Sequence, residues 1–123
     1  HGDINLITLL MGAQGGGLEV QNRFGEWIPA NTQVGELMIN MGDMMARLTN
    51  NRLKSTIHRV INPPKELWSE SRYSIPFFMH PTANMPLNCL SNCVSLENPA
   101  QYRPITAGNF LKQRLTELGL VKI

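Results

Sequence analysis

Glycine and proline punctuate this sequence at short intervals, and this spacing constrains the fold more than any other feature. Ten glycines and eight prolines divide the 123 residues into short segments. Glycine favours tight turns, and proline interrupts helices and central strands. The segments between them are rich in apolar residues and predict strands at 4–11, 18–21, 26–28, 36–40, 53–61 and 72–79. Short strands at this spacing are typical of an all-β sandwich or barrel.

The end of the chain follows a helical pattern instead. Apolar side chains recur on one helical face of residues 107–118, at Phe110, Leu111, Leu115 and Leu118. This stripe predicts an amphipathic C-terminal α-helix, with Thr106 as its N-cap and Gly119 at its end. A shorter helix is predicted over 44–48, with Asp43 as its cap.

Turn residues separate the predicted strands. Residues 22–25 predict a hairpin turn with glycine at its last position, and the glycine-rich residues 12–17 predict a loop. Pro76 lies inside the strand predicted over 72–79. Because proline cannot donate to a neighbouring strand, it predicts a sheet edge or a bulge there.

Composition bounds the class of protein. The length predicts one domain over residues 1–123, and because the first residue is histidine, we expect an upstream segment outside this sequence. The basic residues are scattered and the net charge is only +2, which disfavours a nucleic-acid surface. No apolar run is long enough to predict a membrane span. Two cysteines, Cys89 and Cys93, form neither a disulfide framework nor a plausible zinc set, so we expect a reducing cytoplasm.

The first candidate site combines His1, Asp3 and His58. Residues i and i+2 of a strand share a face, so His1 and Asp3 can present two donor atoms side by side. A histidine from a distant strand completes two imidazoles and one carboxylate, the set that non-haem Fe(II) oxygenases use with open metal positions. Spacing alone also fits structural histidines, and a copper site using the amine and ring of His1 with His58 is a further alternative.

The second candidate site combines Arg72 and Ser74, which share a strand face in the same way. Arginine can bind a carboxylate through two parallel hydrogen bonds, and serine can donate a third. The alternative is that Arg72 pairs with a carboxylate of this chain, such as Glu36 or Asp43. Together the two sets would suit a metal and a small dicarboxylate chelator.

These motifs sit within a longer resemblance. The segments HGDINLITLL at 1–10, GLEV at 17–20, GEWI at 25–28, NMGDM at 40–44, LTNNRLKSTIHRVINP at 48–63 and RYSIPFF at 72–78 occur in order and with suitable gaps. Together they resemble the isopenicillin N synthase-like family of 2-oxoglutarate, Fe(II)-dependent oxygenases. The part from Cys89 onward is most similar to microbial members.

The resemblance implies a mainly β fold, a double-stranded β-helix or jelly roll with a C-terminal α-helix. It implies that His1, Asp3 and His58 bind Fe(II), and that Arg72 and Ser74 bind 2-oxoglutarate as cosubstrate, with ascorbate as an optional reductant. Family members usually carry a long region before the His-x-Asp strand, so this chain resembles the catalytic C-terminal half. The implied partners are molecular oxygen and a small-molecule substrate.

Two alternatives stay open beside this reading. Some members of the family keep the fold and the iron but use the Arg-x-Ser pair for the substrate's own carboxylate or another anion. A non-catalytic jelly-roll domain that serves as a binding module is the second alternative. The sequence does not separate these functions.

Overall fold

The computed structural model describes residues 1–11 and 16–121. Residues 12–15 of the predicted 12–17 loop lie outside the described residues. Within the described part the strands are β1 Ile7–Met11, β2 Leu18–Gln21, β3 Trp27–Pro29, β4 Leu37–Met41, β5 His58–Val60 and β6 Ile75–Met79. The helices are α1 Asp43–Leu48 and α2 Ala107–Glu117, with 3-10 turns at Lys65–Leu67 and Ser91–Cys93. No helix in these ranges is long and apolar enough to cross a bilayer.

The strands form two antiparallel three-stranded sheets. One sheet has the order β4-β1-β6 and the other β3-β2-β5. Strand β1 pairs with two strands distant in sequence, whereas β2 pairs with its neighbour β3 in a hairpin and with the distant β5. In the first sheet Thr8 lies opposite Asn40 on one side and Phe78 on the other. This register places the three side chains on one face. The mainly β prediction with a C-terminal helix is confirmed.

The two faces of the β4-β1-β6 sheet differ in polarity. The face opposite Thr8 carries nine apolar residues in a three-by-three array: Ile7, Leu9, Met11, Leu37, Ile39, Met41, Ile75, Phe77 and Met79. Polar side chains of these strands are therefore confined to the face that carries Thr8 and Asn40. That inner face borders the candidate site.

The buried core lies beside the sheets, between the two helices. Met44 and Leu48 of α1 pack with Leu87 and with Ala107 and Phe110 of α2. Fully burying a large apolar side chain stabilises a fold by roughly 1.5–3 kcal/mol. Ile4 and Leu6 pack against the same cluster, so this core also anchors the segment that carries Asp3.

Several predicted strands were longer than the observed ones. The first strand begins at Ile7, because residues 3–6 accept hydrogen bonds from the start of α1 instead of a strand. The strand predicted over 53–61 is limited to His58–Val60, since the Leu53 amide donates to the Thr49 hydroxyl. The strand predicted over 72–79 begins at Ile75, so Arg72 and Ser74 precede β6.

The cap predictions had mixed outcomes. The Thr106 hydroxyl accepts from the Asn109 amide at 3.3 Å, and Gly119 has a φ of 73°, so both ends of the C-terminal helix are confirmed. Asp43 as an N-cap was wrong: it is the first residue of α1, and Gly42 takes the cap position without a side-chain hydrogen bond. Pro76 lies in β6, an edge strand of the described sheet, as predicted.

Candidate metal centre

Backbone pairing brings the two histidines together. The His58 amide donates to the His1 carbonyl at 2.9 Å, and the amino group of His1 donates to the His58 carbonyl at 3.1 Å. These reciprocal bonds align the start of the chain with β5.

One donor atom from each of His1, Asp3 and His58 lies within 4.8 Å of the others. Asp3 Oδ1 is 3.7 Å from His1 Nε2 and 3.6 Å from His58 Nε2. Neighbouring ligands of an octahedral ion with bonds of about 2.1 Å lie about 3.0 Å apart. Small side-chain movements would therefore let one ion contact all three atoms, and the donor set suits Fe(II) with open positions.

Hydrogen bonds orient the buried donors. The Nδ1 atom of His58 lies 2.9 Å from the Thr56 carbonyl, which can only accept, so Nδ1 carries the proton and Nε2 is free to bind a metal. Asp3 Oδ2 accepts from the Thr8 hydroxyl at 2.5 Å and from Asn40 Nδ2 at 2.9 Å. The side chains of His58 and Asp3 are 14% and 10% exposed, whereas that of His1 is 73% exposed.

Ser74 and Arg72 occupy different surroundings. Ser74 lines a cavity of about 190 Å³ between the two sheets, together with all three candidate donors. The Arg72 guanidinium instead donates to the Gly16 carbonyl and borders a groove near Trp68. The approach of Arg72 requires glycine at position 17, where a Cβ would lie 2.8 Å from the guanidinium.

The pairing of Arg72 with Glu36 or Asp43 was wrong. Asp43 lies 3.8 Å from Arg114, and Glu36 accepts from the backbone amide of Gln33 at 2.8 Å. Among the described residues no carboxylate lies within 4.0 Å of Arg72. Arg72 is therefore held by a neutral carbonyl, for which an anionic ligand could compete.

A second cavity, of about 560 Å³, opens on the same donors. It is lined by His1, Asp3, Ile4, Phe78, His80 and, from or just after α2, Leu111, Arg114, Leu115 and Leu118. Of the apolar stripe predicted for the C-terminal helix, Phe110 thus packs in the core, and Leu111, Leu115 and Leu118 line this cavity. His80 was expected at the surface or near the site; it is exposed and lines this cavity.

Sequence reasoning missed Asn5, Thr8 and Asn40. The available signal was Thr8, a polar residue in the apolar segment Ile7–Met11. Its partner Asn40 is 32 positions away, and only the pairing of β1 with β4 brings the two together.

Two antiparallel sheets surround a cluster of two imidazoles and one carboxylate. This combination defines a class of protein, the non-haem Fe(II) oxygenases with a jelly-roll fold. Comparison with known proteins identifies the family. Residues 1–81 match the 2OG-Fe(II) oxygenase superfamily. The chain belongs to this superfamily, which confirms the resemblance drawn from the motifs.

Individual relatives agree with this assignment. The chain is 37% identical over 113 residues to the 2-oxoglutarate-Fe(II) type oxidoreductase hxnY of Emericella nidulans, covering 91% of this chain and 31% of that protein. It is 34% identical over 119 residues to the oxidoreductase ppzC of Metarhizium majus, covering 96% and 30%. The chain thus spans about a third of the length of these curated relatives.

Solved structures confirm the jelly-roll fold. A 2OG-Fe(II) oxygenase family protein from Caulobacter crescentus superposes with a TM-score of 0.91 and 56% identity, over 96% of this chain and 39% of that one. A full-length Neurospora crassa protein in complex with alpha-KG superposes with a TM-score of 0.83 and 36% identity, over 94% and 36%.

Proposed function

We propose that residues 1–123 form a catalytic domain of a non-haem Fe(II), 2-oxoglutarate-dependent oxygenase. The reaction would oxidise an unactivated C–H bond of a small molecule: substrate, O₂ and 2-oxoglutarate give hydroxylated product, succinate and CO₂. The observation that carries this proposal is the convergence of one donor atom each from His1, Asp3 and His58 within 4.8 Å. Family membership and the relatives solved with alpha-KG support it.

Different residues would bind the metal and the cosubstrate. His1 Nε2, Asp3 Oδ1 and His58 Nε2 would hold the iron, which with its cosubstrate and oxygen supplies the oxidising power. Ser74, in the smaller cavity, and Arg72 would bind the far carboxylate of 2-oxoglutarate. Arg72 would release the neutral Gly16 carbonyl and donate to the cosubstrate carboxylate instead. A hydrogen bond between two charged groups is stronger than one to a neutral carbonyl.

The substrate would occupy the larger cavity. Its volume of about 560 Å³ falls within the size range of small-molecule sites. Phe78, Leu111 and Leu115 supply apolar walls, which would exclude water from the reacting C–H bond. We also propose a reducing cytoplasm as the compartment, because two cysteines are too few for the disulfide framework of a secreted domain.

The position of Arg72 also favours one alternative, an Fe(II) oxidase or oxygenase of the same fold that does not use 2-oxoglutarate. The guanidinium contacts Gly16 and not the cavity that Ser74 and the donors line. Succinate release measured with and without added substrate distinguishes the two activities, because only the cosubstrate-dependent enzyme forms succinate.

The test is an anaerobic titration of the Fe(II)-loaded chain with 2-oxoglutarate, followed by visible absorbance. We expect a saturable charge-transfer band in the parent. In Arg72→Ala we expect about 10- to 100-fold weaker 2-oxoglutarate binding, because hydrogen bonds between charged groups contribute about 1.5–3 kcal/mol. Arg23→Ala, in the exposed hairpin turn, is the matched control and should bind like the parent.

Each outcome has a distinct meaning. Equal binding by the parent and Arg72→Ala would remove Arg72 from the cosubstrate site. Bound iron without a band would favour the alternative activity. A chain that binds no iron would refute the metal site and favour a non-catalytic binding module.

A further inference from the structure

The two carboxylate oxygens of Asp3 have different surroundings. Oδ2 accepts two hydrogen bonds, from the Thr8 hydroxyl at 2.5 Å and from Asn40 Nδ2 at 2.9 Å. Oδ1 receives neither bond and lies 3.6–3.7 Å from the Nε2 atoms of the two histidines. The carboxylate is thus presented to the candidate metal position through one oxygen.

Asn5 sets the direction of the Thr8 hydroxyl. Asn5 is 1% exposed, and its Nδ2 donates to the Ile7 carbonyl at 3.0 Å and to Thr8 Oγ1 at 2.9 Å. The Ile7 carbonyl can only accept, which identifies this side of the amide as the nitrogen. Thr8 Oγ1 therefore accepts from Asn5, and its own proton is available for Asp3 Oδ2.

Sheet register supplies the other donor. Thr8 and Asn40 lie opposite each other on β1 and β4, on the inner face of the sheet. Thr8 is 3% exposed, so water does not compete strongly for its hydroxyl. Two donors from neighbouring strands converge on one oxygen atom, and rotation of the carboxylate would break both bonds.

We propose that Asn5, Thr8 and Asn40 act as a positioning clamp that limits Asp3 to one metal-binding oxygen. A carboxylate held in this way occupies one coordination position and leaves the remaining positions open. A freely rotating carboxylate could bind through both oxygens and so occupy a second coordination position. The inference rests on the proposed iron site and assigns these residues a role in it. All three act through Asp3, because Thr8 and Asn40 donate to its Oδ2 and Asn5 donates to Thr8.

The test measures Co(II) affinity, because Co(II) resists oxidation and reports its ligands through its visible spectrum. Removing hydrogen-bond partners of a metal ligand typically weakens metal binding about 10- to 100-fold. We expect a loss of this size in Thr8→Val, which keeps the side-chain shape but not the hydroxyl. Thr8→Ser restores the hydroxyl and should bind within about threefold of the parent. Asn40→Ala, which removes the second donor, should also weaken binding.

Thr116→Val is the matched control, because its hydroxyl donates to the Lys112 carbonyl on the exposed part of α2. Urea unfolding of each variant checks that the folded form is being titrated. Parent-like affinity in Thr8→Val, or equal losses in Thr8→Val and Thr8→Ser, would overturn the clamp while leaving the metal site intact. A parent chain that binds no Co(II) would refute the metal site and the clamp together.

Discussion

Gly42 lies where the start of α1 meets the segment that carries Asp3, and we predict that Gly42→Ala damages both the fold and the site. The backbone at Gly42 has φ −101° and ψ −178°, values that alanine adopts without strain. The obstacle is space. An added Cβ would lie 2.1 Å from the Asn5 carbonyl oxygen and 2.6 Å from Asn5 Oδ1.

The size of the effect follows from these distances. Ordinary C···O contacts begin at about 3.3 Å, so the two backbones would have to separate by roughly 1 Å. Overpacking of this kind costs about 1–3 kcal/mol. The same junction holds the Asp43 amide on the Asp3 carbonyl at 2.8 Å and the Met44 amide on the Asn5 carbonyl at 3.2 Å. Weakening these two bonds adds about 1 kcal/mol each, so we expect a total loss of about 3–5 kcal/mol.

Urea unfolding followed by circular dichroism measures this loss, and Co(II) titration of the folded variant measures the effect on the site. Gly2→Ala is the matched control. Its Cβ would meet the Ser55 hydroxyl at 2.6 Å, a side-chain atom that has no hydrogen-bond partner within residues 1–11 and 16–121 and can rotate away. We expect this control to cost less than about 1 kcal/mol. A Gly42→Ala chain as stable as the parent, or a control equally destabilised, would refute the steric argument.

Two further predictions concern stability. Asn50→Ala should cost about 3 kcal/mol, because the buried side chain accepts from the Gln101 amide at 2.9 Å and donates to three backbone carbonyls. Asn50→Gly relieves the φ of 49° and should recover only about 1 kcal/mol in urea unfolding; full recovery would contradict the hydrogen-bond account. The hydrogen bond from Gln113, with the charge of Arg114, lowers the pKa of Glu117. Its stabilisation is therefore complete above the unfolded value of about 4.3 and lost as the pH falls through the lowered pKa. The difference in urea-unfolding midpoint between the parent and Glu117→Gln should therefore vanish at a pH below the lowered pKa. A difference that persists at that acid pH would contradict the proposed stabilisation by ionised Glu117.

Local patterns in the sequence were sufficient where a residue's role depends on its neighbours. Thr106 and Gly119 bound the C-terminal helix as predicted, and residues 22–25 form the predicted hairpin turn, with Gly25 at a φ of 82°. Capping and turn preferences act within a few residues. The wrong cap prediction at Asp43 is the exception, because Gly42 takes that position where α1 meets the segment that carries Asp3. The ends of the strands were predicted less well, because a strand ends where its backbone hydrogen bonds to the neighbouring strand end.

The candidate donors His1, Asp3 and His58 could be named from residue type and motif order alone, because an iron site needs a restricted set of ligand chemistries. Only the tertiary structure decided how Asp3 is oriented and where Arg72 rests. Thr8 and Asn40 meet through strand pairing, and Gly42 permits the close approach of Asn5. These contacts join residues about 30 to 40 positions apart, and local sequence patterns do not predict contacts over such separations. The sequence thus determined the chemistry that the chain can offer, and the packing of distant segments determined the geometry in which it is offered.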